Sequence, residues 1–211
     1  MRLCSYVVVH DFGFSPNPFG GYCTLAACTP NHQGIRLAPG DWLLGNSTAA
    51  TGNLLVYAMR VSEVLDFDDY YQDPRFQTKK PRGATWEDRC GDNIYYRDDE
   101  GEWRQGKAFY HTEPERVGKD TKHPRVFISD HFYYFGENAP PLPAEFGSLI
   151  RRSQGCACTG SKETVLGFVA WLGSTHEPGI RGLPRDNPER GTRTTKLVQL
   201  GSERRVRQGR G

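Results

Sequence analysis

The chain has 211 residues, 25% of them charged and 36% hydrophobic, with a formal net charge of +2. Its length suits one ordinary domain with a buried core, and 12% aromatic residues argue against wholesale disorder. The 24 glycines and 14 prolines exclude long helical bundles and coiled coils, and no apolar run approaches the roughly 18 residues of a membrane span.

Leu3–Val9 is rich in β-branched and aromatic residues and predicts a strand. Its apolar run stops at His10–Asp11, short of a secretory signal, so the expected compartment is the cytoplasm. The following HDFGFSPNPFGG is broken by prolines and glycines into a long irregular connection. Cys23–Cys28 predicts a short strand, Ala38–Asp41 a turn, Trp42–Gly45 a strand, and 45–52 a polar loop. Asn53–Val64 is the strongest strand candidate, continuous enough for burial on both faces. Asp66 is placed to cap a helical turn around Phe67–Tyr71.

Residues 72–92 and 97–122 read as polar excursions from the core, with a short strand at Asn93–Tyr96 between them. Arg125–Phe135 predicts a second long strand, or one bent at Ser129–Asp130–His131. Asn138–Pro143 must be extended, Glu145–Arg152 suits a short helix, and Glu163–Leu172 has helical spacing that Gly167 weakens. The elements together predict an α+β, mainly β, single-domain fold: a partly open barrel with short helices and long loops.

Charge and cysteines refine this. Residues 181–211 hold nine Lys/Arg and three acids, a charge of +6, which leaves −4 on residues 1–180. The expected organisation is therefore a body over 1–178 and a basic Gly/Arg-rich tail over 179–211, partly disordered. In the tail, Arg204, Arg205 and Arg207 are placed to track phosphates. Six cysteines without a secretory signal predict reduced, mostly structural thiols rather than a disulfide framework. Cys156 and Cys158 are too close for a zinc knuckle, and Cys23, Cys28 and His32 make at most three ligands. No metal and no cofactor is expected.

Candidate site residues fall on loops and strand ends, where binding groups usually sit. The first loop offers His10, Asp11, Phe12, Asn17, Gly20 and Gly21, followed by Cys23. Its glycines free backbone N–H groups to point at an anion or a base edge. Ser129, Asp130 and His131 gather a hydroxyl, a carboxylate and an imidazole, although neighbours in sequence cannot form a triad by themselves. Aromatic residues such as Trp42, Tyr57 and Tyr133 have flat faces that suit a nucleobase, though most of them are expected in the core.

The strings SYVVVHDFGFSPNPFGGYCTLAAC, GDWLLG, LVYAMRVSEVLDFDDYYQDPRF, CGDNIYY and VFISDHFYYFG resemble the bacterial and phage family called nucleotide modification associated domain, type two. The resemblance covers about residues 1–175 and implies association with DNA base hypermodification or its recognition. It transfers no catalytic residues. At the level of fold, Gly40–Asp41–Trp42, Leu54–Val64 and Trp103 are similar in order to PUA-like barrels such as EVE and ASCH domains, which hold a modified base in an aromatic-lined pocket. The 72–122 excursions depart from that pattern.

Three readings follow. The first is a module that binds a modified or flipped base, with aromatics stacking and Asp41, Asn17, Ser129, Asp130 and His131 addressing its edges. The second is an enzyme modifying a nucleotide or base, with His10, Asp11, Asp130 and His131 as acid–base groups. The third is an assembly partner of DNA-modification enzymes. The first two share a requirement: the loops after Val9 and Ile128 must meet at one pocket.

Overall fold

The structure is a computed structural model and describes residues 1–27, 34–83 and 85–187. The expectations for Arg204, Arg205, Arg207, Cys28 and His32 lie outside the described residues.

Eleven strands and four α-helices appear among the described residues, with four short 3₁₀ turns between them. In chain order they are β1 (Leu3–Val7), β2 (Cys23–Leu25), β3 (Trp42–Asn46), β4 (Leu55–Arg60), β5 (Glu63–Asp66), α1 (Phe67–Gln72), α2 (Trp86–Arg89), β6 (Tyr95–Arg97), β7 (Trp103–Gln105), α3 (Glu115–Asp120), β8 (Arg125–Ser129), β9 (His131–Tyr134), β10 (Ala157–Cys158), α4 (Lys162–Thr175) and β11 (Gly179–Ile180). Six strands form one sheet in the order β10-β1-β3-β4-β9-β11, and β2-β8-β5 form a second. β1 and β3 run parallel, as do β9 and β11, and the other named pairs are antiparallel.

The two sheets share a bent ribbon. Tyr57 pairs with Tyr134 and Arg60 with His131 in the first sheet; Glu63 pairs with Ile128 and Asp66 with Arg125 in the second, all in one register. The expected strands 53–64 and 125–135 are the two arms of this ribbon, and the second does bend at Ser129–His131. At the bend, Asp130 N–H donates to Ser62 Oγ at 3.1 Å, and the Ser62 hydroxyl donates to Asp130 Oδ1. The architecture is mixed and mainly β, and the sheets do not close into a barrel among the described residues.

Alternation along the strands explains the layers. Cys4, Tyr6, Leu43, Met59 and Phe127 face inward and join the two sheets in one core cluster. Leu3, Trp42, Leu44 and Ala58 face the other way, against Phe168 and Leu172 of α4 and Phe146. The helical spacing of 163–172 thus prevails over Gly167. A third cluster packs α1 (Phe67, Tyr70), β6 (Tyr95) and Phe76 of the first excursion onto the far side of the small sheet. Those polar stretches hold α2, β7 and α3, beside the expected helical turn at α1 and the expected short strand at β6, so they are structured additions to the core. Asp66 caps α1 as expected, accepting from Asp68 N–H at 2.9 Å.

Two expectations change. Cys4 and Cys158 form a disulfide, because antiparallel pairing sets them opposite each other across β1 and β10; spacing along the chain carried no sign of this. Residues 179–187 belong to the body: β11 pairs with β9, and Asp186 and Asp11 bond each other's backbone. Described structure therefore continues past residue 178.

Candidate functional site

A cavity of about 250 Å³ opens beside the end of β1. Its walls come from Tyr6–His10, from Phe12, Phe14 and Ser15 of the first loop, from Ala27, and from Tyr110 and His111. The rings form a near-parallel column: His10 lies 5.7 Å from Phe12 at 18°, and Phe12 lies 5.3 Å from Tyr110 at 29°. Phe14 contacts Tyr110 at 5.3 Å and His111 at 5.0 Å. Behind the wall, the Tyr57 hydroxyl donates to Tyr6 Oη at 2.9 Å. Gly45 permits this, since a Cβ there would lie 2.3 Å from the Tyr57 ring.

The irregular first loop is held from three sides. Asp11 is buried, accepting from the Tyr134 hydroxyl and from Arg185 N–H at 3.0 Å. Burial pushes its carboxyl above the usual range against those hydrogen bonds. The Cys90 thiol donates to Phe12 O at 3.0 Å. Asn17 is buried, donating to Cys90 O at 2.7 Å and accepting from Lys79 Nζ at 2.8 Å. Prolines and glycines give this loop its path, and buried polar side chains keep it there.

His111 is the group with the clearest chemistry. Its Nδ1–H donates to Asp120 Oδ2 at 2.6 Å, and the buried Tyr95 hydroxyl donates to the same oxygen at 2.7 Å. The Asp120 side chain has no solvent exposure, so the imidazole is tied to an enclosed carboxylate. Gln105 Nε2 donates to His111 O at 2.7 Å, holding the backbone at a φ of 56°, a left-handed conformation uncommon outside glycine. With Nδ1 committed to Asp120, Nε2 is the ring nitrogen left for a further proton transfer. Ser15 of the cavity wall has a buried Oγ, with no hydrogen-bond partner among the described residues.

The sequence-selected residues divide. His10 and Phe12 line the cavity and Asp11 anchors its loop. Gly20 and Gly21 have φ of 71° and 85° in the turn beyond it. Cys23 is fully buried opposite Ser129 in the β2–β8 pair, with burial pushing its thiol up to about 12. Asp41 is a turn anchor. Burial alone would raise its carboxyl, but hydrogen bonds from Arg2 and Ala38 outweigh this and hold it below the usual range.

The second loop does not reach the cavity. Tyr6, Gly45, Tyr57 and Tyr134 form one row across the large sheet, and Leu3, Trp42, Arg60 and His131 another. The rows are three residues apart, roughly 10 Å at the strand rise. His131 packs edge-on against Trp42 and Tyr133 at that other end, and burial and Arg60 lower its basicity. Ser129 Oγ bonds the backbone of His131. The requirement that the loops after Val9 and Ile128 meet is therefore not satisfied, which rules out both functional readings as built on Ser129, Asp130 and His131; the residues that share the cavity with His10 are Tyr110 and His111 instead. His131→Ala should accordingly leave ligand affinity at the cavity unchanged in a titration, whereas a tenfold loss would bring that end of the sheet back into the site.

Sequence reasoning missed Tyr110, His111 and Asp120 because they sit in a polar stretch with no periodicity. The only local cue was an aromatic–histidine pair beside Thr112–Glu113–Pro114. Among the described residues, no group of three or more His, Cys, Asp or Glu is placed to hold a metal ion. None of the described helices is long and apolar enough to cross a membrane.

No curated protein and no solved structure gives a significant match to the chain. A family model does match, from residue 1 to residue 190, and so spans the cavity, its loop and the His111 pair: the chain belongs to the family described as nucleotide modification associated domain 2.

Proposed function

We propose that the protein binds a modified nucleobase or nucleotide in this cavity, within a system that makes or recognises modified DNA bases. The observation that carries the reading is the ring column of His10, Phe12 and Tyr110 on a cavity of about 250 Å³. Flat faces suit a heterocycle, and His111 supplies an edge-reading polar group. Membership of a nucleotide modification family agrees with such a ligand. We read the scaffold as PUA-like, with DNA or a modified nucleotide as partner and other DNA-modification enzymes as its neighbours. The turn at Gly40–Asp41 leading into β3, and the bent ribbon, support that reading.

Base stacking on one aromatic ring is worth about 1–3 kcal/mol. Phe12→Ala and Tyr110→Ala should each weaken binding roughly 5- to 150-fold. Calorimetric titration with plain and hypermodified nucleosides measures this. Unchanged affinity for every nucleoside in both variants ends the proposal.

One observation favours a second reading, an enzyme. A histidine tied by Nδ1 to a buried carboxylate is the arrangement of a general base. In this reading, His111 Nε2 takes a proton from an N–H or O–H of the bound base, the electron pair stays on that heteroatom, and Asp120 stabilises the imidazolium. His111 and Asp120 then fill the acid–base role expected of Asp130 and His131.

A further inference from the structure

We propose that the groove on the other side of the end of β1 is a phosphate subsite of the same ligand, which makes that ligand a nucleotide or a DNA strand rather than a free base or nucleoside. The inference rests on the cavity taking the base. The groove holds about 380 Å³ and is lined by Val7, Val9, Thr48, Arg152, Ser153 and Gln154 among others. Val7 and Val9 also line the cavity, so the two spaces share one wall. A ligand with its base in the cavity reaches the groove by passing its pentose over the Val7–Val9 segment.

The charge in the groove is uncompensated. Arg152 is exposed, and its guanidinium makes no hydrogen bond or ion pair among the described residues; no carboxylate among them lines the groove. Arg2, Arg75, Arg104 and Arg185, by contrast, are each paired with a carboxylate. Arg152 also stands on a fixed base. Arg151 N–H donates to Asn46 Oδ1 at 2.9 Å, Asn46 Nδ2 donates to Arg151 O at 2.8 Å, and the Arg151 guanidinium donates to Gln154 O and Gly155 O. The neighbour is thus consumed in holding the turn to the end of β3, and Arg152 is left to face the groove. A planar guanidinium with five donors matches phosphate oxygens, and Ser153 and Gln154 add neutral donors.

The test compares the four common deoxynucleosides with their 5′-monophosphates, titrated into wild type, Arg152→Gln and Phe12→Ala. Wild type should bind at least one monophosphate about tenfold tighter than its nucleoside. Arg152→Gln should erase that difference and leave nucleoside affinity unchanged; Phe12→Ala should weaken both and keep the ratio. Monophosphates bound no tighter than nucleosides, or a ratio that survives Arg152→Gln, would overturn the phosphate subsite and leave base binding standing. Failure of all eight compounds, and of hypermodified nucleosides and their monophosphates titrated in the same way, to bind wild type would take down the base-binding reading and the subsite together.

Discussion

Replacing Lys79 by methionine is expected to destabilise the fold by about 3–5 kcal/mol, a fall in melting temperature of roughly 6–20 °C for a chain of this size. Lys79 ends a 3₁₀ turn at Pro74–Lys79 and is 2% exposed. Its Nζ donates to Asn17 O at 2.9 Å, Asn17 Oδ1 at 2.8 Å and Tyr22 O at 2.7 Å, so all three ammonium protons are used. Methionine fills similar space but donates nothing, which leaves three oxygens without that donor. Asp92 shares the cluster, accepting from Thr24 Oγ1 at 2.7 Å and the Tyr70 hydroxyl at 2.8 Å. Burial raises its carboxyl and Lys79 pulls it back, so losing the lysine strands a buried acid. Adding Asp92→Asn should therefore recover part of the loss, and a double-mutant cycle in urea measures the coupling. A single-mutant loss below about 1 kcal/mol would show that the loop is anchored elsewhere. Gly91 belongs to the same arrangement: a Cβ there would lie 2.3 Å from Lys79 O, so only glycine lets the two segments pass.

What the sequence showed of the fold came from local patterning. Runs of β-branched and aromatic residues marked both ribbon arms, and Ser129–His131 stood out as the place where one of them bends, because those signals are carried by neighbours in sequence. Long-range pairings left no such trace. Cys4 meets Cys158 only because β10 adds to β1, and Ile180 joins the large sheet through two residues too few to show a period. The site divides in the same way. His10 and Phe12 were visible because they sit in a loop of unusual composition. His131 looked equally promising, yet the strand register carries it to the far row. Asp120 was one acid among many, and only its enclosure beneath Tyr95 and His111 distinguishes it. The proposed site lies where a segment without pattern folds back over one with pattern.

Asp120→Asn separates the two readings of the cavity, and the acid–base reading expects the larger effect. His111 Nδ1–H and the Tyr95 hydroxyl converge on a single oxygen, Asp120 Oδ2. An asparagine that puts its carbonyl there keeps both hydrogen bonds and loses only the charge that stabilises an imidazolium. One that puts its amide there forces His111 Nδ1 to accept, which moves the ring proton to Nε2 and blocks that nitrogen as a base. Either way proton transfer suffers while shape is kept. The expected fall in turnover is about 10²–10⁴-fold, with ligand affinity within a few-fold of wild type. Product analysis by mass spectrometry and calorimetric titration of the same samples give the two numbers, and nitrogen NMR of the His111 ring reports which tautomer the variant holds. The binding reading predicts no product from either protein and at most a modest change in affinity. Equal turnover in both proteins would remove His111 from the chemistry, and its contact with Phe14 would then be a wall contact only.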